Sequence, residues 1–267
     1  MTFCDQYGPW AVVGGASVGL GAEFARQLAS RGLNLILLAR RRDALQELAA
    51  QLAAEHEVLV RIAALDLGDP HLDAHVGRVS DDVDVGLLVF NAAYSSIGRF
   101  LDVPLEEHER AVRVNCHAPL VLAHRFGRRM AERGRGGIVL MSSMAGSLGC
   151  PFISTYAATK AFNIVLAESL WYELRERGVD VLACQAGATD TPGYAASGPV
   201  GKQPPVMQPA EVARSALAGL GRGPRIVPGL VNKLTLQLLG RLLPRRVGLH
   251  VIGEATRKLY GDKISPA

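Results

Sequence analysis

Continuous apolar runs recur along this chain at near-regular intervals. Leu35-Ile36-Leu37-Leu38 and Leu87-Leu88-Val89-Phe90 contain no polar residue. That is the pattern of parallel strands buried on both faces, not the alternation of a half-solvated sheet. The runs predict strands over 10–14, 34–39, 58–66, 85–91, 136–142, 179–185 and 225–228. Between them, apolar residues return every three or four positions, which predicts helices over 19–31, 41–55, 70–80, 105–131, 155–177 and 209–220. Strict alternation implies parallel strands joined by right-handed crossovers. The expected fold is therefore α/β: a doubly wound parallel sheet of about seven strands with helices on both faces. At 267 residues and 49% apolar, the chain can bury a large core as a single domain over 1–267.

In such a sheet, ligands bind beyond the carboxyl ends of the strands. The first strand runs into GGASVGLG, Gly14 to Gly21, and then a helix. Glycines at 15, 19 and 21 allow a tight turn and close approach to a phosphate, and the helix start supplies free N–H groups. The spacing is G-x-x-x-G-x-G, so a plain strand-to-helix turn competes with a Rossmann-type nucleotide turn. Further along, SSMAGSLGCPFISTYAATKAF sets Ser143, Tyr156 and Lys160 in one stretch. A Tyr and a Lys four apart share a helix face. A free phenol titrates near ~10, too high for acid–base work at neutral pH, and an adjacent ammonium lowers it. Tyr and Lys at this spacing are common on solvated faces, so the pair gains meaning from its surroundings.

Taken together, these segments resemble the short-chain dehydrogenase/reductase family over about residues 8–230. The opening resembles the branch with 3-ketoacyl-CoA and hydroxysteroid reductases. The family's glycine turn matches Gly15, Gly19 and Gly21, and its Asn-Ala-Gly stretch matches Asn91-Ala92-Ala93. Its catalytic Asn, Ser, Tyr and Lys match Asn115, Ser143, Tyr156 and Lys160, and its later Pro-Gly-x-x-x-Thr matches Ala186 to Thr191. Three positions depart: Gly14 for a Thr that tethers the turn, Ala93 for Gly, and Ala186 for Pro. The first is expected to loosen the turn and the second to narrow the space beside a cofactor.

The resemblance implies a nicotinamide cofactor and a ketone–alcohol interconversion. Tyr156 would protonate the carbonyl oxygen and Ser143 would donate to it. Lys160 would lower the phenol's pKa and hold the nicotinamide ribose, and Asn115 would position a water leading to Lys160. The cofactor would lie along Gly15, Ser17, Gly19, Leu20, Gly21, Asp66, Leu67, Asn91, Ala92, Tyr156, Lys160, Gly187, Thr189 and Thr191, with Asp66 at the adenine. After the second strand, where a carboxylate selects NAD, the chain reads Ala39-Arg40-Arg41-Arg42. A guanidinium at Arg40 favours a 2′-phosphate, hence NADP(H), with NAD(H) a possible substitute. The expected substrate is a lipophilic or 3-oxoacyl ketone. The alternative is a regulatory protein that keeps fold and cofactor without turnover, against which the intact Asn-Ser-Tyr-Lys set argues. Residues 191–209 resemble a substrate loop, and a homo-oligomer (dimer or tetramer) is implied.

Charge and cysteines refine the picture. The net charge is +4, yet residues 222–263 hold nine Lys/Arg against two Asp/Glu, leaving −3 elsewhere. The same segment carries Val231, Leu234, Leu238, Leu239, Leu242 and Leu243 at approximately helical spacing. The favoured reading of 230–260 is a helical segment packed on the domain or a subunit, its leucines closing one side of the pocket. The alternatives are a membrane-surface helix and a basic face for an acyl carrier. Nucleic-acid binding is disfavoured by the lack of an aromatic platform. Cys4, Cys116, Cys150 and Cys184 form no C-x-x-C or Cys/His cluster, so no metal is expected. They read as buried reduced thiols, and with no basic-plus-apolar leader at the N-terminus the expected location is cytoplasmic.

Overall fold

The computed structural model describes residues 2–200, 205–238 and 243–264. Seven strands form one sheet: β1 (Trp10–Gly14), β2 (Asn34–Ala39), β3 (Val60–Ala64), β4 (Val85–Phe90), β5 (Gly136–Ser143), β6 (Val179–Ala186) and β7 (Arg225–Ile226). Their order is β3-β2-β1-β4-β5-β6-β7 and every pairing is parallel. This is the Rossmann-type doubly wound sheet the apolar runs predict. The chain reverses direction across the sheet between β1 and β4, the place where a crevice opens at the carboxyl ends.

The helices are α1 (Phe3–Tyr7), α2 (Gly19–Ala29), α3 (Arg42–His56), α4 (Leu72–Ser80), α5 (Leu105–Val112), α6 (Ala118–Arg133), α7 (Ser154–Leu174), α8 (Pro192–Ala196), α9 (Pro209–Gly219), α10 (Leu230–Gln237), α11 (Arg245–Leu259) and α12 (Gly261–Ile264). Successive strand residues feed opposite core layers, as a pleat requires. Ala11 and Val13 pack in one layer with Phe24, Leu28, Leu48 and Leu52. Trp10 and Val12 pack in the other with Leu72, Leu122 and Phe126. Both faces are thus covered by helices.

Three elements depart from the pattern-based expectation. The third strand is shorter than 58–66, and the last is only a two-residue edge. The helix expected over 105–131 is broken by a single π turn at Arg113–His117, between α5 and α6. A π turn inserts one residue without disturbing the apolar stripe on either side, so periodicity passes over it. The 209–220 helix stands as α9, and α1 and α8 are short additions. Of the 191–209 loop, residues 201–204 lie outside the described residues, as do Leu239 and Leu242 of the C-terminal leucine pattern.

Candidate active site

The glycine turn is held by three hydrogen bonds from the Asn91-Ala92 stretch. Asn91 and Ala92 both donate backbone N–H groups to Gly14 O, at 2.9 Å each, and Asn91 Nδ2 donates to Gly15 O at 3.3 Å. The expectation that Gly14 loosens the turn is therefore corrected: main-chain bonds provide the tether. Gly15 has φ +81°, and a Cβ there would meet Ala92 Cα at 2.7 Å. A Cβ on Gly21 would lie 2.0 Å from Gly15 O. Neither position admits a side chain.

Helix α2 starts at Gly19 with no side-chain cap and no acidic residue in its first turn. Its first N–H groups and its positive dipole end are left for an anion, which fits a dinucleotide pyrophosphate. Leu20 and Leu67 bury their side chains in the core, at 9% and 5% exposure, leaving only their main chain to a ligand. Gly19 abuts Thr191, whose Cβ would lie 3.1 Å from an added Cβ. Thr191 Oγ1 accepts from Tyr194 N at 3.1 Å and so caps α8. Thr189 is buried, with its hydroxyl donating to Gly187 O at 3.1 Å. The turn and the 187–191 stretch therefore line one crevice.

At the adenine end, Arg40 is exposed and Ala39 is buried. Arg41, unsuspected from the pattern, donates from Nη2 to Ser17 Oγ at 3.1 Å and brings a second guanidinium to the turn. The three-arginine run was its only signal. Asp66 accepts from Gly68 N at 2.9 Å and pairs loosely with Arg110 at 3.5 Å. Arg110 in turn lies 4.8 Å from the centroid of the Tyr94 ring.

The four candidate catalytic residues converge from three elements. Ser143 ends β5, Tyr156 and Lys160 lie on α7, and Asn115 sits in the π turn. Ser143 and Tyr156 are half-buried, whereas Asn115 and Lys160 are buried. Asn115 is fixed on every side: its amide donates to Tyr94 O (2.8 Å) and Thr159 Oγ1 (2.9 Å), and its Oδ1 accepts from Tyr94 N (2.7 Å). Its own carbonyl accepts from Asn163 Nδ2 at 3.1 Å. Tyr94, Thr159 and Asn163 thus support the site. Thr159 and Asn163 stand at helical spacing from Tyr156, the one sequence signal that marks them.

Lys160 Nζ lies 5.6 Å from the Tyr156 ring centroid and donates to Met141 O at 2.9 Å. An ammonium has three donors, so two remain for a nucleotide ribose. Burial pushes Lys160 down to about 8. Burial also pushes the Tyr156 phenol above its ordinary value, with the Tyr260 phenol and Cys150 thiol adding to the rise, while a hydrogen bond with Ser143 opposes it. The expectation that Lys160 lowers the phenol is therefore corrected for the protein alone: desolvation dominates.

Cys150 Sγ and Thr256 Oγ1 meet at 3.4 Å, docking α11 on the loop before Tyr156. Burial raises Cys116 to about 11 and Cys184 to about 12, so both stay protonated thiols. All four cysteines are free; Cys4 and Cys116 are only half-buried, which corrects the uniform burial expected. No group of three or more His, Cys, Asp and Glu able to hold a metal occurs among the described residues.

The C-terminal expectation needs correction too. Asn232 of α10 is buried against Gly187, where an added Cβ would meet its Nδ2 at 2.7 Å. Val231, Leu234 and Leu238 are exposed, so they are not packed into the domain core.

The short chain dehydrogenase family model matches residues 9–199. A 7beta-hydroxysteroid dehydrogenase of Clostridium sardiniense is 31% identical over 87% of this chain and 90% of its own length. A very-long-chain 3-oxoacyl-CoA reductase of Pyricularia oryzae is 40% identical over 65% of this chain, which spans 54% of that enzyme. Among solved structures, a short-chain dehydrogenase from Sphingobium yanoikuyae in complex with NADPH is similar at TM-score 0.80, with 33% identity over 91% of this chain and 95% of its own. The glycine turn and the Ser-Tyr-Lys constellation thus belong together by descent as well as by geometry: the chain is a member of the short-chain dehydrogenase family and an oxidoreductase acting on CH–OH groups.

Proposed function

We propose that the protein is an NADP(H)-dependent reductase of lipophilic ketones, of the steroid or 3-oxoacyl type, interconverting them with secondary alcohols. The observation that carries this reading is the buried Lys160, held beside the Tyr156 ring by Met141 O with two donors to spare. Burial of an ammonium is costly and persists where it serves a site.

The fit of a dinucleotide rests on the cradle at Gly15 and Gly21 and on the uncapped start of α2. In this reading Gly15, Ser17, Gly19, Leu20 and Gly21 hold the pyrophosphate, and Asp66 and Leu67 the adenine. Asn91 and Ala92 back the turn, and Gly187, Thr189 and Thr191 orient the carboxamide. Arg40, joined by Arg41, binds a 2′-phosphate, so NADP(H) is preferred and NAD(H) is a weaker substitute. When bound, the nicotinamide supplies or accepts the hydride.

The chain's own groups handle the proton. Tyr156, held above the ordinary phenol range, is protonated at neutral pH and gives its proton to the carbonyl oxygen as negative charge develops there. Ser143 donates a hydrogen bond to the same oxygen, fixed in place beforehand. Lys160, largely protonated at pH 7, stabilises the phenolate that results. Asn115 holds a water through which Lys160 is resupplied with protons. Tyr194 of α8, whose buried hydroxyl has no partner among the described residues, contributes a polar contact from the 191–209 loop.

The relatives named above support the substrate class, since a steroid and a very long acyl chain are both large and apolar. Four free thiols fit a cytoplasmic setting. Exposed Leu105, Val112, Leu120, Val165 and Tyr172 on α5–α7 are suited to a homo-oligomer contact. The test is NADPH oxidation against a panel of short ketones, 7-oxosteroids and 3-oxoacyl-CoA thioesters. Turnover on the bulky members supports the reading. Cofactor binding with no turnover on any member would favour a regulatory protein of the same fold.

A further inference from the structure

The C-terminal helices are amphipathic the wrong way round. On α10 the buried residue is Asn232, at 8% exposure, while Leu230 (72%), Leu234 (62%), Val231 (55%) and Leu238 (51%) face solvent. At about 100° per residue these four fall within one stripe of roughly 100°, opposite Asn232. On α11, Val247 and Val251 are exposed as well, at one-turn spacing, while Gly248 and Thr256 face inward. A soluble helix puts its leucines inward, so an outward stripe has a partner to meet.

The charge carried by the same two helices selects the partner. From Leu230 to Leu259 the chain carries six Lys/Arg and one acid, Glu254. That acid is already taken by Arg257, at 2.6 Å. Lys233, Arg245, Arg246 and Lys258 are exposed along the same two helices. A symmetric contact with a second copy would press this cationic face against itself. An anionic lipid surface offers apolar depth for the leucines and phosphates for the rim. No helix among the described residues is long and apolar enough to cross a membrane, so contact would be interfacial.

We infer that α10 and α11 form a docking face for anionic phospholipid bilayers, with Leu230, Val231, Leu234 and Leu238 entering the interface and the surrounding Lys/Arg binding headgroups. Asn232 anchors α10 beside Gly187, at the carboxyl end of β6 where the active-site crevice opens. Docking therefore brings the carboxyl end of β6 to within one helix, α10, of the bilayer. That a ketone dissolved in the membrane enters there rests on the function proposed above; the docking itself does not.

The experiment is sedimentation of the full chain with vesicles of phosphatidylcholine alone and of equal parts phosphatidylcholine and phosphatidylglycerol. Binding to the mixed vesicles should be at least about tenfold tighter, and should weaken as salt is raised. Leu234→Gln with Leu238→Gln should reduce it by about tenfold or more, leaving the melting temperature and reduction of a water-soluble ketone unchanged, because both side chains are exposed. Failure to bind mixed vesicles overturns the inference, as does equal binding by the double variant. If the double variant instead dissociates an oligomer while lipid binding is unaltered, the face is a contact between copies and the lipid reading is wrong.

Discussion

Lys160 is a group the fold tolerates at a cost, and removing it should change how stability without cofactor depends on pH. Burial lowers its pKa from 10.5 to about 8. The unfolded chain therefore binds more protons between those values, and stability of the parent rises with pH across that window. Below about 8 the penalty is complete. The difference is about 2.5 units, or ~3 kcal/mol at 1.36 kcal/mol per unit. Lys160→Met keeps the length and apolar stem but sheds the charge. It also gives up the bond to Met141 O at 2.9 Å, a charged hydrogen bond worth roughly 1.5–3 kcal/mol. The net at pH 7 is then between no gain and about 2 kcal/mol in favour of the variant, so a single melting point decides little. The decisive quantity is the slope. Urea unfolding of parent and variant, without cofactor, should give a stability difference that shifts in the parent's favour by ~3 kcal/mol from pH 7.5 to pH 10.5. Parallel curves over that range would mean Lys160 is not held below its ordinary value, and the desolvation argument fails. The same variant should lose most of its reductase activity at every pH.

Other expectations follow from the cradle and the loop. Gly21→Ala pushes a methyl against Gly15 O, so NADPH binding should fall by tenfold or more and the melting temperature by several degrees, read by fluorescence titration and calorimetry. Arg40→Ala with Ala39→Asp should reverse an NADP preference of order tenfold to hundredfold, as comparative Kd values would reveal. Tyr194→Phe, which removes a hydroxyl with no partner among the described residues, should leave stability within about half a kcal/mol yet raise KM for bulky ketones more than it changes kcat.

Much of this molecule is legible in its sequence. Strands such as Leu35–Leu38 are buried on both faces, so their apolar character has one structural meaning. Ser143, Tyr156 and Lys160 are readable because local spacing fixes their relation. What escaped the reading depends on orientation. A leucine repeat on α10 announces an amphipathic helix but not which side meets the domain, and here the side with Asn232 does. The π turn at Asn115 leaves the flanking stripe intact. Arg41 reaches Ser17 only because the glycine turn folds back beside the start of α3. Burial reverses the expected direction for the Tyr156 phenol, and the Tyr260 phenol, far along the chain, adds to the rise electrostatically.

The central claim is that Tyr156 supplies the proton in NADPH-dependent ketone reduction. Tyr156→Phe keeps the ring and removes only the hydroxyl, so the direct measurement is the NADPH dissociation constant together with the single-turnover rate on a ketone the parent reduces. The account predicts NADPH binding within about threefold of the parent and a rate lower by 10²–10⁴-fold. Reduction at more than about a tenth of the parent rate, with NADPH bound equally well, would contradict it.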